Sequence, residues 1–292
     1  MTQKFALGDD SLIVTPTGLA LEGATLAPQG QAGLNNAMQG AGASLFSLNR
    51  NRNRNRNRNR NRNRNRNRNR NRSLNLTDAS TSFLEPFKER EMLYELLPHW
   101  NNLPLALPPT QEQLRTEAIE LLRKQHLLYT PQHARRQEEI KNEAQLELSR
   151  YLWPLGIEEG SAYSETEHLL YLVLALTDEI GLRYKDRYNV LRPNQIEPRL
   201  RPFLPNPGHA SYPSNHSFQS FSIAFVISRM MPEHVASSEL FLSARRIAEN
   251  REWAGLHYAS DTRAGYDLAR MITPILEEVC KDQMYAAVAE WM

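Results

Sequence analysis

Beyond residue 83, the apolar positions of the chain recur at helical spacing. Leu84 to Leu97, Thr110 to Leu128 and Pro131 to Trp153 each place apolar side chains three or four residues apart, so each stretch predicts an amphipathic helix. Pro104 to Pro109 separates the first two stretches, and Pro154 ends the third. Because no segment here alternates apolar and polar residues for long, the pattern predicts an all-α fold, a multi-helix bundle.

Two further stretches predict helices that are buried on most sides. Glu165 to Tyr184 contains the continuous apolar run Leu169 to Leu176, and Ser214 to Met231 carries bulky apolar residues on several faces. Between them, Asn194 to Tyr212 contains four prolines and predicts a loop. The second buried helix therefore begins directly after a proline-rich loop.

Two more helices are predicted to complete the bundle. Pro232 suits the first position of a helix that runs to about Trp253, and Ser260 suits the N-cap of a final helix. The final helix is predicted to point its apolar residues inward, namely Tyr266, Leu268, Met271, Ile272, Ile275 and Leu276.

The first 82 residues differ in composition from the rest. Met1 to Leu48 is rich in Gly, Ala, Thr and Gln, and Asn49 to Arg72 is a run of twelve Asn-Arg pairs. Neither stretch can bury enough apolar surface to offset the entropy of ordering, so we expect residues 1–82 to be disordered and 83–292 to form one helical domain. The repeat is most simply a low-complexity expansion, but it could also bind nucleic acid or an anionic surface weakly and without specificity.

Charge and apolar content restrict the class of protein further. The formal net charge is +2, and removing the twelve repeat arginines leaves −10 for the rest, so the helical part is acidic. Cys280 is the single cysteine, which excludes a disulfide within the chain and is most simply a small buried residue. We find no secretory signal and no run of roughly 20 apolar residues, so we expect a soluble, cytoplasmic protein.

The candidate chemistry lies in three short segments of the helical domain. Together they hold three cationic side chains, a hydroxyl at a predicted helix start, two histidines and a carboxylate. A phosphoryl group, with several oxygens that share negative charge, needs such a set of groups. The segments are Lys185-x6-Arg192-Pro193, Pro213-Ser214-Asn215-His216 and Arg251-x5-His257-x3-Asp261.

Each segment has a physical reason to bind or react with an oxyanion. The first backbone N–H groups of the helix that follows Ser214 lack partners within the helix, and the helix dipole favours an anion there. Asp261, four residues after His257, can accept a ring N–H and leave the other ring nitrogen free to attack. His and Asp at this spacing could instead bind zinc, but the other histidines show no paired spacing and no HExxH motif is present.

In combination, the segments resemble the signature of the type 2 phosphatidic acid phosphatase and vanadium haloperoxidase superfamily. That signature reads Lys-x6-Arg-Pro, then Pro-Ser-Gly-His, then Ser-Arg-x5-His-x3-Asp. The context from Ser211 to His216, Ser-Tyr-Pro-Ser-x-His, looks most like the soluble class A bacterial acid phosphatases. The predicted helices are compatible with the all-α bundle that this resemblance implies.

The resemblance also implies a role for each residue of the signature. The phosphate would be held by Lys185, Arg192, Ser214, Asn215 and Arg251. His257 would attack phosphorus and become a phosphohistidine, while Asp261 orients its ring. His216 would protonate the leaving alcohol and then activate water, without any cofactor or metal.

Two positions depart from the signature. Asn215 stands where the superfamily has glycine, so its side chain could narrow the pocket or add a hydrogen-bond donor. Asn250 stands in place of the serine before Arg251, where we expect a small effect.

Three functions remain open at this stage. The first is a soluble, metal-independent phosphatase that hydrolyses small phosphate monoesters. The second is a vanadium-dependent haloperoxidase, in which vanadate would bind to His257 and His209 would lie where haloperoxidases place a halide-tuning residue. The third is an interaction protein that acts through the arginine repeat and carries a degenerate pocket. Because no cationic or catalytic group of the signature is missing, we favour an enzyme over the third.

Overall fold

A computed structural model of the chain describes residues 86–144, 148–158 and 163–292, and the backbone of three strands near the N-terminus. The strands belong to a separate unit, residues 1–51, and comprise β1 (Gln3–Leu7), β2 (Asp10–Thr15) and β3 (Gly18–Leu21). They form an antiparallel sheet in the order β1-β2-β3. The composition of residues 1–48 did not predict these strands. The Asn-Arg repeat and the other expectations for residues 22–82 lie outside the described residues.

The second unit is helical, as predicted: from residue 86 onward the described residues include no strand. Short 3₁₀ turns at Pro131–His133 and Trp153–Leu155 join some of its helices. The helices are α1 (Phe87–Glu95), α2 (Leu97–Trp100), α3 (Gln111–Leu128), α4 (Ala134–Glu143), α5 (Ser149–Leu152), α6 (Ser164–Tyr188), α7 (Pro193–Ile196), α8 (Asn215–Met230), α9 (Ala236–Trp253), α10 (Ala259–Val279) and α11 (Lys281–Ala289).

Polar side chains begin two of these helices where the sequence predicts them. The Thr110 hydroxyl accepts from the Gln113 backbone N–H, and the Gln113 side chain accepts from the Thr110 N–H, which forms a capping box at α3. Ser214 is the N-cap of α8, where its hydroxyl accepts from the Ser217 N–H at 3.4 Å. The N-terminus of α8 is therefore fixed by local hydrogen bonds.

Helix α8 lies at the centre of the unit and contacts α6, α9 and α10. Most of its apolar residues are buried, as are those of the run Leu169 to Leu176 in α6 apart from the half-buried Tyr171. Helix α10 lies close to the start of α8 at Gly265, where a Cβ atom would lie 2.6 Å from the Ser214 carbonyl oxygen. A small residue in α10 thus allows the start of α8 to lie against it.

Three details of the helix predictions are wrong. The segment Pro131 to Trp153 is not one helix, because α4 ends at Glu143 and α5 begins at Ser149. The predicted start at Pro232 is replaced by a start at Ala236, and the last long helix begins at Ala259 rather than after Ser260. The break after Glu143 accompanies a contact with α9 over 100 residues away, which local periodicity does not report.

Some helix faces that were predicted to point inward are only partly buried. Large apolar side chains at Phe87, Met92, Ile119 and Tyr266 are exposed, while their neighbours Leu93, Ala118 and Leu268 are buried. In the described part of the chain, no helix has the length and apolar character needed to cross a bilayer.

The close packing at Gly265 gives a test of the fold. Gly265→Ala would bring the new Cβ to 2.7 Å from Ser217 Cβ and 2.9 Å from the Phe218 nitrogen. We expect this overpacking to lower the free energy of unfolding by about 1–3 kcal/mol, despite the better helix propensity of alanine. Urea denaturation measures the loss. Gly208→Ala is the control, because no atom lies within 4 Å of its added Cβ; equal stability of the two variants would contradict the packing.

Candidate active site

The three sequence segments meet at the ends of α6, α8, α9 and α10. The Ser214 N–H donates to the Asp261 backbone oxygen at 3.0 Å, which joins the second segment to the third. Arg192 Nη1 lies 3.1 Å from His257 Nε2, and Lys185 Nζ donates to the Pro213 carbonyl. The structure therefore brings together side chains that are up to 76 positions apart, from Lys185 to Asp261.

His257 and Asp261 form the pair that the spacing predicts. His257 Nδ1 lies 2.9 Å from Asp261 Oδ2, and both side chains are buried. The same oxygen accepts from the Ser211 hydroxyl and from the Tyr258 backbone N–H at 3.1 Å. These bonds fix the carboxylate, so it holds the imidazole ring in one orientation.

The surroundings of His257 identify which ring nitrogen is free to react. Asp261 accepts a hydrogen bond from the Nδ1–H, while Arg192, which is always a donor, lies at Nε2. Burial and the charges of Lys185 and Arg192 lower the pKa of His257 well below its ordinary value. The ring is therefore neutral at neutral pH, and its lone pair is on Nε2.

Lys185 is fully buried and donates to three carbonyl oxygens of one loop. Its Nζ lies 3.1 Å from the Ala210 oxygen and 2.8 Å from the Ser211 oxygen, and it also donates to Pro213. Burial, followed by repulsion from Arg192, lowers the pKa of the ammonium group. In this state Lys185 holds the loop that leads into α8.

Arg192 is also engaged by oxygen atoms of the chain. Nη1 donates to the Leu256 carbonyl at 2.8 Å, and Nη2 lies within 3.2 Å of the His209 and Ala210 carbonyls. The Nδ1 atom of His209 lies 3.1 Å from Nη2. The guanidinium thus joins the loop before α8 to the catalytic candidate His257.

Arg251 forms an ion pair with a residue that the signature does not contain. Its Nη2 lies 2.7 Å from Glu143 Oε2 and 3.1 Å from the Ile140 carbonyl oxygen, and the two charged side chains are 1% and 2% exposed. Within the described residues, Arg251 Nε is buried and has no hydrogen-bond partner. The third cation of the set is therefore paired at the end of α4.

His216 lies in the first turn of α8, as predicted, and its Nε2 is 3.3 Å from the Glu143 carbonyl oxygen. Burial and the charge of Arg251 lower the pKa of His216 to about 3. The ring is neutral in this state. A bound anion would oppose the effect of Arg251, because negative charge stabilises the imidazolium.

The departure at Asn215 is accommodated by α6. Its Nδ2 donates to Asp178 Oδ1 at 3.1 Å, and its side-chain amide occupies the space where a Cβ atom at position 181 would be. Gly181 therefore makes room for the extra side chain. Asn215 donates to Asp178 rather than to the other groups of the cradle.

Asn250, which stands in place of the serine of the signature, contacts two carboxylates of α4, although we expected this departure to have a small effect. Its Nδ2 donates to Glu143 Oε1 at 2.7 Å and lies 3.4 Å from Glu139 Oε2. Asn250 is fully buried. It connects the carboxylate that binds Arg251 to a second carboxylate one helical turn earlier in α4.

Sequence reasoning missed Glu143 and Asp178, and gave Ser211 no role beyond its place in the motif. Glu143 and Asp178 lie outside the signature, in helices α4 and α6, and no local pattern distinguishes them from surface acids. The signal that could have found them is the pair of asparagine departures, because a buried amide needs hydrogen-bond partners.

The arrangement can bind an oxyanion and can move protons. It contains an unprotonated ring nitrogen on His257, a second imidazole on His216, and three buried cations. The start of α8 adds backbone N–H groups that favour negative charge. Such a site combines nucleophilic attack with charge stabilisation.

Comparison with known families agrees with this arrangement. Residues 167–281 match the model of the PAP2 superfamily. The superfamily includes phosphatases and vanadium haloperoxidases. No curated protein matches the sequence.

Two solved structures are similar in part. A transmembrane PAP2 type phosphatidylglycerolphosphate phosphatase from Bacillus subtilis is 17% identical, with a TM-score of 0.43, over 67% of this chain and 97% of that protein. A bacterial vanadium-dependent iodoperoxidase is 15% identical, with a TM-score of 0.45, over 60% of this chain and 52% of that protein.

The lowered pKa of His216 predicts a dependence of stability on pH. Between its folded pKa of about 3 and its unfolded value near 6.5, the unfolded chain binds a proton that the folded chain does not. The stability contribution of His216 is thus lost as pH falls below about 6.5. We expect His216→Gln to reduce the loss of unfolding free energy between about pH 7 and pH 5 by roughly 2 kcal/mol at most.

Urea denaturation at several pH values measures this difference. The control is His99→Gln, because His99 lies exposed in α2 and should leave the pH dependence unchanged. Parallel stability profiles for wild type and His216→Gln would contradict a half-buried, neutral His216.

Proposed function

We propose that the protein is a metal-independent phosphatase that hydrolyses small phosphate monoesters through a phosphohistidine. The observation that carries this proposal is the state of His257. Its Nδ1 is held by Asp261 at 2.9 Å, and its Nε2 carries a lone pair beside the Arg192 guanidinium. A neutral, oriented imidazole next to a phosphate-binding cation is the group that attack on phosphorus requires.

The first half of the reaction transfers the phosphoryl group to the protein. His257 Nε2 forms a bond to phosphorus while the bond from phosphorus to the ester oxygen breaks. The leaving oxygen takes a proton from His216 and departs as an alcohol. Arg192 and Arg251, with the N–H groups at the start of α8, stabilise the negative charge on the remaining oxygens.

The second half releases phosphate. His216, now neutral, takes a proton from water, and the resulting hydroxide forms a bond to phosphorus as the bond to His257 Nε2 breaks. The lone pair returns to Nε2, and the proton on His216 restores the starting state. Asp261 accepts from Nδ1 throughout, which stabilises the positive charge that develops on the His257 ring.

Substrate binding is expected to prepare His216 for its acid role. Burial, followed by the charge of Arg251, lowers the pKa of His216 to about 3. A bound phosphate dianion counters the charge of Arg251 and raises that pKa toward its ordinary range. The site thus becomes competent for proton donation when its substrate is present.

A vanadium-dependent haloperoxidase is the second candidate, favoured by the contact between His209 and Arg192 at 3.1 Å. The residues fit vanadate, because His257 Nε2 is unprotonated and the same cations surround it. Vanadate would then be held by His257 and the cradle cations, and it would supply oxidation of halide by peroxide. Burial and the charge of Lys185 lower the pKa of His209 to about 4, so its ring is neutral in this structure.

His257→Ala tests the proposed nucleophile. We expect hydrolysis of an aryl phosphate, with a chelator present, to fall by about 10³-fold or more, because no other group replaces Nε2. The control is His99→Ala, which should retain full activity because His99 lies exposed in α2. Retained hydrolysis in His257→Ala would contradict the phosphohistidine.

Vanadate separates the two candidate functions in the same assay. For a phosphatase, vanadate inhibits aryl phosphate hydrolysis, and vanadate-loaded protein does not brominate a dye with hydrogen peroxide. Dye bromination that depends on vanadate, without phosphate release from the ester, would favour the haloperoxidase.

A further inference from the structure

Glu143 is the carboxylate that binds Arg251 in the candidate active site. Its Oε2 lies 2.7 Å from Arg251 Nη2, its Oε1 accepts from Asn250 at 2.7 Å, and its backbone oxygen lies 3.3 Å from His216 Nε2. One residue therefore contacts both a proposed phosphate-binding cation and the proposed acid. The Glu143 side chain is 2% exposed, so its contacts are shielded from solvent.

The three cations of the cradle are all bound by oxygen atoms of the chain itself. Lys185 and Arg192 donate to backbone carbonyls of the loop before α8, and Arg192 also donates to the Leu256 carbonyl before α10. Arg251 is different, because its strongest partner among the described residues carries a full negative charge. A phosphoryl oxygen that binds Arg251 Nη2 must compete with this carboxylate, whereas at Lys185 and Arg192 it competes with neutral carbonyls.

We propose that Glu143 is a built-in competitor of the substrate: it holds Arg251 in the ligand-free protein and gives up the guanidinium when the phosphoryl group binds. This inference rests on the proposed function of the site. It makes Glu143 a residue that determines how tightly, and with how much negative charge, a substrate must bind. Esters that present a phosphate dianion compete better than ligands with a single negative charge.

The position of Glu143 makes it a carboxylate that can be displaced. It is in the last turn of α4, where the helix dipole disfavours negative charge. Burial raises the pKa of Glu143 in spite of Arg251, Asn250 and Arg150. Arg150 remains near Oε1 at 3.7 Å and can retain the carboxylate after Arg251 leaves it.

The opposite role for Glu143 is that of a positioning residue for Arg251. In that case the ion pair would persist in the substrate complex and hold the guanidinium toward phosphate. The two roles predict changes of opposite sign when the carboxylate is neutralised. Competition predicts tighter binding of an oxyanion, and positioning predicts weaker binding.

The test is the affinity of the full chain for inorganic phosphate, measured by calorimetry at neutral pH in wild type and Glu143→Gln. We expect Glu143→Gln to bind phosphate roughly tenfold more tightly, because a neutral amide holds Arg251 less strongly and does not repel the ligand. Glu139→Gln is the matched control. Glu139 lies one turn earlier in α4 and also contacts Asn250, but it pairs with Arg246 rather than Arg251.

The outcomes separate this inference from the proposed function. If wild type binds phosphate and Glu143→Gln binds it equally or more weakly, the competitor role is wrong while the oxyanion site stands. If wild type binds no phosphate, both are overturned. An equal gain in Glu139→Gln would indicate a general effect of charge and would also overturn the inference.

A second variant covers the case in which Glu143→Gln does not fold. Glu143→Asp keeps the buried charge but shortens the side chain, so its carboxylate reaches Arg251 less well. We expect phosphate to bind about threefold more tightly than to wild type, with an unfolding transition that remains cooperative. Weaker binding than wild type in this variant would contradict the competitor role.

Discussion

Three buried cations are the constraint on which the rest of the site depends. Lys185, Arg192 and Arg251 are each 3% exposed or less, and their lost hydration, together with the repulsion between Lys185 and Arg192, must be offset by oxygen atoms. In this state the chain provides those oxygens from the loop before α8 and from the end of α4. The same cations would bind a phosphoryl group by exchanging their contacts with oxygen atoms of the chain for contacts with phosphoryl oxygens.

The cations also determine the state of the imidazoles. Because positive charge and burial both disfavour protonation, His257 and His216 are neutral while the site holds no anion. Asp261 accepts a hydrogen bond from His257 Nδ1–H, so the lone pair of the His257 ring is on Nε2. Binding of a dianion would thus change three things together: the carbonyl contacts, the pair between Glu143 and Arg251, and the readiness of His216 to hold a proton.

The sequence was sufficient for the helical class, for the buried helices α6 and α8, and for the convergence of the three segments. Helical periodicity reports burial within one element, and the spacing of His257 and Asp261 reports a contact within one turn. Helical periodicity could not reveal Glu143, because a contact with Arg251 across 108 positions leaves no local pattern. The same holds for the break after α4 and for Gly181, whose missing side chain makes room for Asn215.

The central claim is that one oxyanion binds between His257 and His216 by displacing oxygen atoms of the chain. A crystal structure of the protein with vanadate, which adopts the geometry of the phosphoryl transition state, tests it directly. The account predicts vanadium bonded to His257 Nε2, vanadate oxygens on Arg192 and Arg251, and Glu143 withdrawn from Arg251. Vanadate bound elsewhere, with Arg192 still at His257 Nε2, would contradict it.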